Sequence, residues 1–276
     1  MDIQSLSIRT NLIFAKFSGH IQDRGTYTLV QTPSNPGYHW GNYVIFDSSP
    51  KKGDYPSWTS IFRKEFTYYK EITHMVFTWD SSSDESTESF CPTHTSDYQE
   101  FIHNDFELEE GVTLSANELM YPSKYNNQIE IRKIMSDQEW NDVLHLQVLC
   151  SDAKFAHAGY VKFKRNQMMQ YRAMSEQGMG HWFGAYLGKQ LVGDLGIFFE
   201  KELGRYQNVG THPNFRRQGV CQTLVYEAAQ IALKEYGVST LVMEADAHYH
   251  AAKIYESLGF TPKERTFALS WWTPHD

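Results

Sequence analysis

The sequence predicts an α/β fold, and three observations carry that expectation. Segments of extended character alternate with segments of helical periodicity, which implies helices packed on a sheet. Two apolar runs, Trp182–Leu187 and Leu191–Phe199, flank Gly188-Lys189-Gln190 and read as a hairpin. The 276 residues are 41% hydrophobic and 21% charged, a balance suited to a globular chain of one large or two ordinary domains.

In the first half, Trp40–Phe46 reads as a strand and His74–Trp79 as another. Between them Trp58, Ile61, Phe62, Glu65, Phe66 and Tyr69 recur at helical spacing, so Ser57–Tyr69 is expected to be a helix. Ser81–Ser89 is polar and acidic and reads as an exposed loop. In the second half, Ile129–Ile134 alternates as a strand. Ser136 and Glu139 form a capping box that opens a helix to about Leu149. A further helix spans Tyr160–Glu176. After the hairpin, Arg205–Thr211 is extended, and Pro213 turns the chain by fixing its own φ and restricting His212. Val220, Leu224, Ala228 and Ile231 then make an apolar helical stripe that Gly237 stops. Ser239–Glu244 is rich in β-branched and apolar residues and reads as a strand. Ala251, Ile254, Tyr255 and Leu258 share a helical face that Gly259 ends, and Thr266–Trp272 closes the sheet. A strand–loop–helix–strand unit occurs in both halves, with strand offsets of about 33 and about 34 residues. A first domain over 1–125 and a second over 126–276 follow.

Arg216-Arg217-Gln218-Gly219-Val220-Cys221 lies between a strand and a helix. A helix opening leaves main-chain N–H groups without partners and adds partial positive charge. That suits a diphosphate, and Gly219 would let a phosphate oxygen approach the backbone. The stretch resembles the acyl-CoA loop of the GNAT superfamily of N-acetyltransferases, Gln/Arg-x-x-Gly-x-Gly/Ala. Arg216 and Gly219 match, and Cys221 departs from the small third residue while remaining small itself. The last helix, with Ala251, Tyr255 and Gly259-Phe260, resembles the family's Asn-x-x-Ala-x-x-x-Tyr-x-x-x-Gly-Phe, with His248 where the family often has Asn.

The resemblance covers roughly Asn127–Trp272. It implies a mixed, splayed sheet with helices on both faces, in tandem if the first half is a degenerate copy. In that copy Ser48–Asp54, with its proline and lysine pair, is a poor phosphate cradle. The cofactor implied is acetyl-CoA. Its diphosphate would meet Arg216, Arg217, Gln218, Gly219, Val220 and Cys221. Its pantetheine arm would pair with Val209, Gly210 and Thr211 and reach His248. The N–H of Val209 or a neighbour would stabilise the oxyanion. Tyr255 would protonate the leaving thiolate. The base is open among Glu244, Asp246, Asp194 and His212. The expected reaction is direct attack by a small-molecule amine on the acetyl thioester. A protein N-terminus or lysine as acceptor, or a non-catalytic acyl-CoA-binding regulator, are the alternatives.

A formal charge of −8 argues against general nucleic-acid binding, which needs a basic surface. Cys91, Cys150 and Cys221 have no zinc or disulfide spacing, and Glu244–His250 lacks metalloprotease spacing, so no metal is expected. With no leader and no run of about 20 apolar residues, a cytoplasmic protein without a membrane segment is expected. It would be a monomer or homodimer.

Overall fold

The computed structural model describes residues 1–80, 97–151, 158–247 and 251–273. The acidic segment at 81–89, Cys91 and His248 lie outside these residues. The elements run α1 (Leu6–Ser18), β1 (His20–Asp23), β2 (Tyr27–Gln31), β3 (Tyr43–Phe46), α2 (Asp54–Glu65), β4 (His74–Trp79), α3 (Gln99–Ile102) and β5 (Glu107–Ala116). There follow β6 (Glu130–Lys133), α4 (Asp137–Cys150), α5 (Ala158–Glu176), β7 (Gly180–Leu187), β8 (Gln190–Glu200) and β9 (Leu203–Thr211). The chain closes with α6 (Val220–Glu235), β10 (Thr240–Asp246), α7 (Ala251–Glu256) and β11 (Thr261–Trp272). Two compact units result, one of Met1–Thr113, Asp246–His248 and Lys263–Asp276, the other of Leu114–Ala245 and Tyr249–Pro262.

In the first unit the strand order is β1-β2-β3-β4-β11. β1–β2 and β2–β3 are antiparallel, β3–β4 parallel and β4–β11 antiparallel. Alternation along β3 sends Val44 and Phe46 into a core with Trp58 and Phe62 of α2. It sends Tyr43 and Ile45 into a second core with Ile8 and Leu12 of α1. Both faces are therefore covered, and the Phe46 and Trp58 rings stack at 3.7 Å.

In the second unit the order is β10-β9-β8-β7-β6, with β9–β10 parallel and the rest antiparallel. Asp194 of β8 bonds Gln147 of α4, whereas its neighbour Gly193 backs onto Val220 and Leu224 of α6. Neighbouring strand residues face opposite ways, so α4 and α6 lie on opposite faces. The expected capping box at Ser136 and Glu139 is present.

The two units share a plan. Helix, three antiparallel strands, crossover helix and parallel strand occur as α1-β1-β2-β3-α2-β4 and again as α5-β7-β8-β9-α6-β10. Both crossover helices start from a left-handed glycine, Gly53 at φ 95° and Gly219 at φ 82°. The mixed sheets and helices are the fold class the sequence predicts.

One expectation needs correcting. Thr266–Trp272, placed by sequence in the domain 126–276, belongs to the first unit and lies antiparallel to β4, from Ala268↔Thr78 to Trp272↔His74. Phe267 and Leu269 are the cause, because they complete the first unit's aromatic core.

Candidate functional site

The parallel pair in each unit ends differently. β3 and β4 are in register to their last residues, Phe46↔Trp79, and the Asp80 N–H extends the ladder to the Phe46 carbonyl at 2.9 Å. β9 and β10 pair only over Leu203↔Thr240, Gly204↔Leu241 and Arg205↔Val242. Beyond that point β9 runs on to Thr211 and β10 to Asp246 without pairing to each other. The strands thus splay, and one main-chain edge of β9 faces the cleft. Arg205 and Glu244 close the vertex with a 2.6 Å ion pair.

β9 leads through a short 3-10 turn, Pro213–Phe215, into the loop before α6. Among the described residues, no hydrogen bond engages the main-chain N–H groups of 217–222. Arg216, Arg217 and Gln218 are exposed, while Val220 is buried and anchors the helix. Arg217 has φ 60°, so left-handed residues at 217 and 219 bend successive N–H groups into a concave nest suited to an anion. In the first unit the corresponding N–H is already taken, since Asp54 accepts from Lys51 N at 2.7 Å.

Gly219 is needed for a reason other than phosphate approach. Its φ is positive, and an added Cβ would lie 2.3 Å from the Lys124 carbonyl oxygen. The segment 124–126 is stitched to α6 by Asn126 Nδ2 to Gln218 O at 2.9 Å and by Asn126 N to Thr223 Oγ1 at 2.8 Å. Arg216 folds back, its Nε donating to Thr211 O at 3.3 Å. Burial pushes the Cys221 thiol up to about 12, so it is protonated and no nucleophile at neutral pH.

Tyr255 of α7 is buried edge-on to Phe260, which in turn meets Tyr206 of β9 edge-on. A phenol therefore stands on the wall beside β9. The base candidates are less free. Glu244 is held by Arg205. His212 Nδ1 accepts from Asn214 N at 3.2 Å, which leaves the neutral ring's proton on Nε2. Asp194 is fully buried, and desolvation raises its pKa to about 7 against the hydrogen bonds of Gln147 and Trp182. His248, expected at the pantetheine arm, lies outside the described residues. Among those residues no group of three His, Cys, Asp or Glu is placed to hold a metal.

The sequence reading missed a buried polar cluster under β9. Gln147 Nε2 lies 3.0 and 3.1 Å from the two Asp194 oxygens and 2.8 Å from Asn208 O. Trp182 Nε1 donates to Asp194 at 3.0 Å. Lys164 Nζ donates to Gln167 Oε1 at 3.0 Å and reaches Gln147 Oε1 at 3.5 Å. Burial lowers the Lys164 amine to about 8, against the pull of Asp194. Asn208, at φ 48°, marks a bulge where the β8–β9 register shifts. The trace in the sequence is slight: Gln147 interrupts the stripe Trp140, Val143, Leu144, and Lys164 and Gln167 precede Met168 and Tyr171. A separate open groove of about 650 Å³, lined by Glu118, Met120, Glu256 and Phe260 among others, includes no residue of β9 or the loop.

A splayed parallel pair followed by a nest at a helix N-terminus, with a second unit of the same plan, defines a tandem acetyltransferase-type fold. Residues 178–262 match the family model described as acetyltransferase (GNAT) domain. The GNAT acetyltransferase domain thus lies within the second unit. Similar solved structures include a functionally unknown conserved protein from Staphylococcus epidermidis, at TM-score 0.71 and 14% identity over 92% of this chain and 94% of that one. A GCN5-related N-acetyltransferase from Kribbella flavida aligns at TM-score 0.62 and 12% identity over 97% and 96%. A tandem GNAT protein from the clavulanic acid biosynthesis pathway aligns at 0.52 and 13% over 85% and 76%. No curated protein sequence matches.

Proposed function

We propose that the second unit is an acetyl-CoA-dependent N-acetyltransferase acting on a small-molecule amine by direct attack in a ternary complex. One observation carries this reading: β9 leaves β10 beyond Arg205↔Val242 and leads into a loop whose N–H groups at 217–222 have no hydrogen-bond partner among the described residues. Extended amides fit an unpaired strand edge, and a diphosphate fits the nest. The residues that would hold the cofactor are Val209–Thr211 along the arm and 216–221 at the diphosphate. When bound, its thioester supplies an activated acetyl carbonyl. The chain's part is to position that carbonyl, to offer the Val209 N–H to the developing oxyanion, and to place the Tyr255 hydroxyl for the departing thiolate. The first unit lacks both features, since β3 and β4 stay paired to their ends and Asp54 fills the start of α2. It is read as a structural or acceptor-side copy.

A second reading has an observation of its own. Glu244 and His212 are both engaged in the structure, as a coenzyme A-binding protein without turnover would permit. Thermal unfolding with acetyl-CoA and thiol release over a panel of amines, polyamines, amino acids, aminoglycosides and peptides separate the two. A ligand at 100 times its Kd adds about 2.7 kcal/mol of apparent stability. A melting shift with thiol release supports transfer, and the responding acceptor class distinguishes small amines from peptides. A shift with no release supports the binder. No shift at millimolar acetyl-CoA sinks both.

A further inference from the structure

We propose that Lys164 is a positioning residue for acyl transfer, acting through Gln147 and Gln167 on the main-chain bulge at Asn208. The inference rests on the acyltransferase reading of the β9–β10 cleft.

The argument begins with the two ends of a glutamine amide. One end only donates and the other only accepts, so its neighbours decide which way it faces. Gln147 Nε2 has three acceptors around it, both Asp194 oxygens and Asn208 O, at 2.8–3.1 Å. Its Oε1 faces the Lys164 amine. Gln167 Oε1 receives two donors, Lys164 Nζ at 3.0 Å and Asn208 Nδ2 at 3.1 Å. The donor–acceptor sense therefore runs one way, from Lys164 through Gln147 to Asp194 and the Asn208 carbonyl. Asn208 is gripped at both its carbonyl and its side chain.

The grip matters because of the peptide plane. The Asn208 carbonyl and the Val209 N–H belong to one rigid, trans unit and point in opposite directions. Holding Asn208 O toward α4 fixes the Val209 N–H away from α4. Asn208 also sits at φ 48°, a left-handed conformation held here by bonds to both its carbonyl and its side chain. Without Lys164 both glutamines lose a donor that orients them, and the plane is free to turn. Gly210, next along β9, is packed down on the same cluster, since a Cβ there would lie 2.7 Å from Asp194 Oδ1.

The test uses the full chain and donor–acceptor logic. Lys164→Met keeps the length without the donor. Gln147→Glu keeps the shape but removes the donor to Asn208 O. Both are expected to lower kcat about 100-fold, the scale of a lost oxyanion donor, with KM for acetyl-CoA within about twofold because the loop is untouched. Gln167→Leu should lower kcat as well, and Gln167→Glu should recover most of that loss, because a carboxylate accepts both bonds. Amide hydrogen exchange over 207–211 should quicken in Lys164→Met and Gln147→Glu, with α6 unchanged. The exchange readout stands whether or not any acceptor is turned over. Loss of wild-type turnover on every amine would reject the acyltransferase reading alone, and unchanged exchange at 207–211 would reject the positioning role alone. Unaltered kcat in Gln147→Glu, or no difference between Gln167→Leu and Gln167→Glu, would also overturn it. Should Lys164→Met fail to fold, the glutamine variants decide.

Discussion

Gly210 shows how tightly the buried cluster bears on the strand that would meet the cofactor. An added methyl would fall 2.7 Å from Asp194 Oδ1 and 3.2 Å from Gln147 Nε2. Gly210→Ala is expected to cost about 1–3 kcal/mol through overpacking, read from urea unfolding. Combining it with Asp194→Ala should restore part of that loss, because the two groups are in contact. Asp194 itself makes stability depend on pH. Its folded pKa is raised from 3.8 to about 7, chiefly by desolvation. The native state thus holds the proton more tightly than the unfolded chain. The stability this confers is full below pH 3.8 and is lost as pH rises through about 7. Asp194→Asn should flatten the decline of the urea midpoint between pH 4 and pH 7, and an unchanged slope would contradict the assignment. The place of Tyr255 on a helix was legible from the sequence because its spacing and the following Gly259-Phe260 are local. Tyr255→Phe should slow turnover while leaving the acetyl-CoA-induced melting shift intact. The cluster of Gln147, Lys164, Gln167, Asp194 and Asn208 was not legible in the same way. Its members come from four elements, and a lone polar residue in an apolar helical stripe does not say what it meets.

At the scale of elements, the splay of β9 from β10 separates the two units more sharply than any motif. Sequence periodicity located both strands and the helix between them, since alternation and helical spacing are local properties. It was silent on where pairing stops, because that depends on what crosses the vertex. Arg205 is almost wholly buried, and its guanidinium meets Glu244 where the ladder ends. The Glu244 carboxylate is thus engaged at the vertex. Glu244→Gln is therefore expected to cost stability, about 1–2 kcal/mol, because Arg205 is buried while Glu244 is only partly so and the amide still offers an acceptor. The pH profile of kcat/KM should keep its shape. Loss of the profile's acidic limb in this variant would instead make Glu244 the base.

At the scale of the whole chain, the last strand decides where the first unit ends. A boundary at 125 treats the first domain as complete, and the structure shows what such a fragment lacks. β11 lies antiparallel to β4 over Ala268–Trp272. It brings Phe267 and Leu269 into the core with Phe77 and Trp79. Thr78 Oγ1 donates to Phe267 O at 2.9 Å, and Glu264 accepts from Ser5 Oγ at 2.8 Å and Ser7 N at 2.6 Å at the start of α1. None of this is visible to local patterning, because Thr78 and Phe267 are 189 residues apart in sequence. A fragment of residues 1–113 would leave β4 with an open apolar edge, the feature that drives strand-to-strand aggregation. It should elute as aggregate on size exclusion and show no cooperative melt. Joining 263–276 to that fragment through a flexible linker should restore a monodisperse, cooperatively melting species, because the linker's closure cost grows only slowly with length. Glu264→Ala in the joined fragment should lower its Tm, since it strips the carboxylate that satisfies the first N–H groups of α1. A well-folded 1–113 fragment without the added strand would show that the core of the first unit closes without β11.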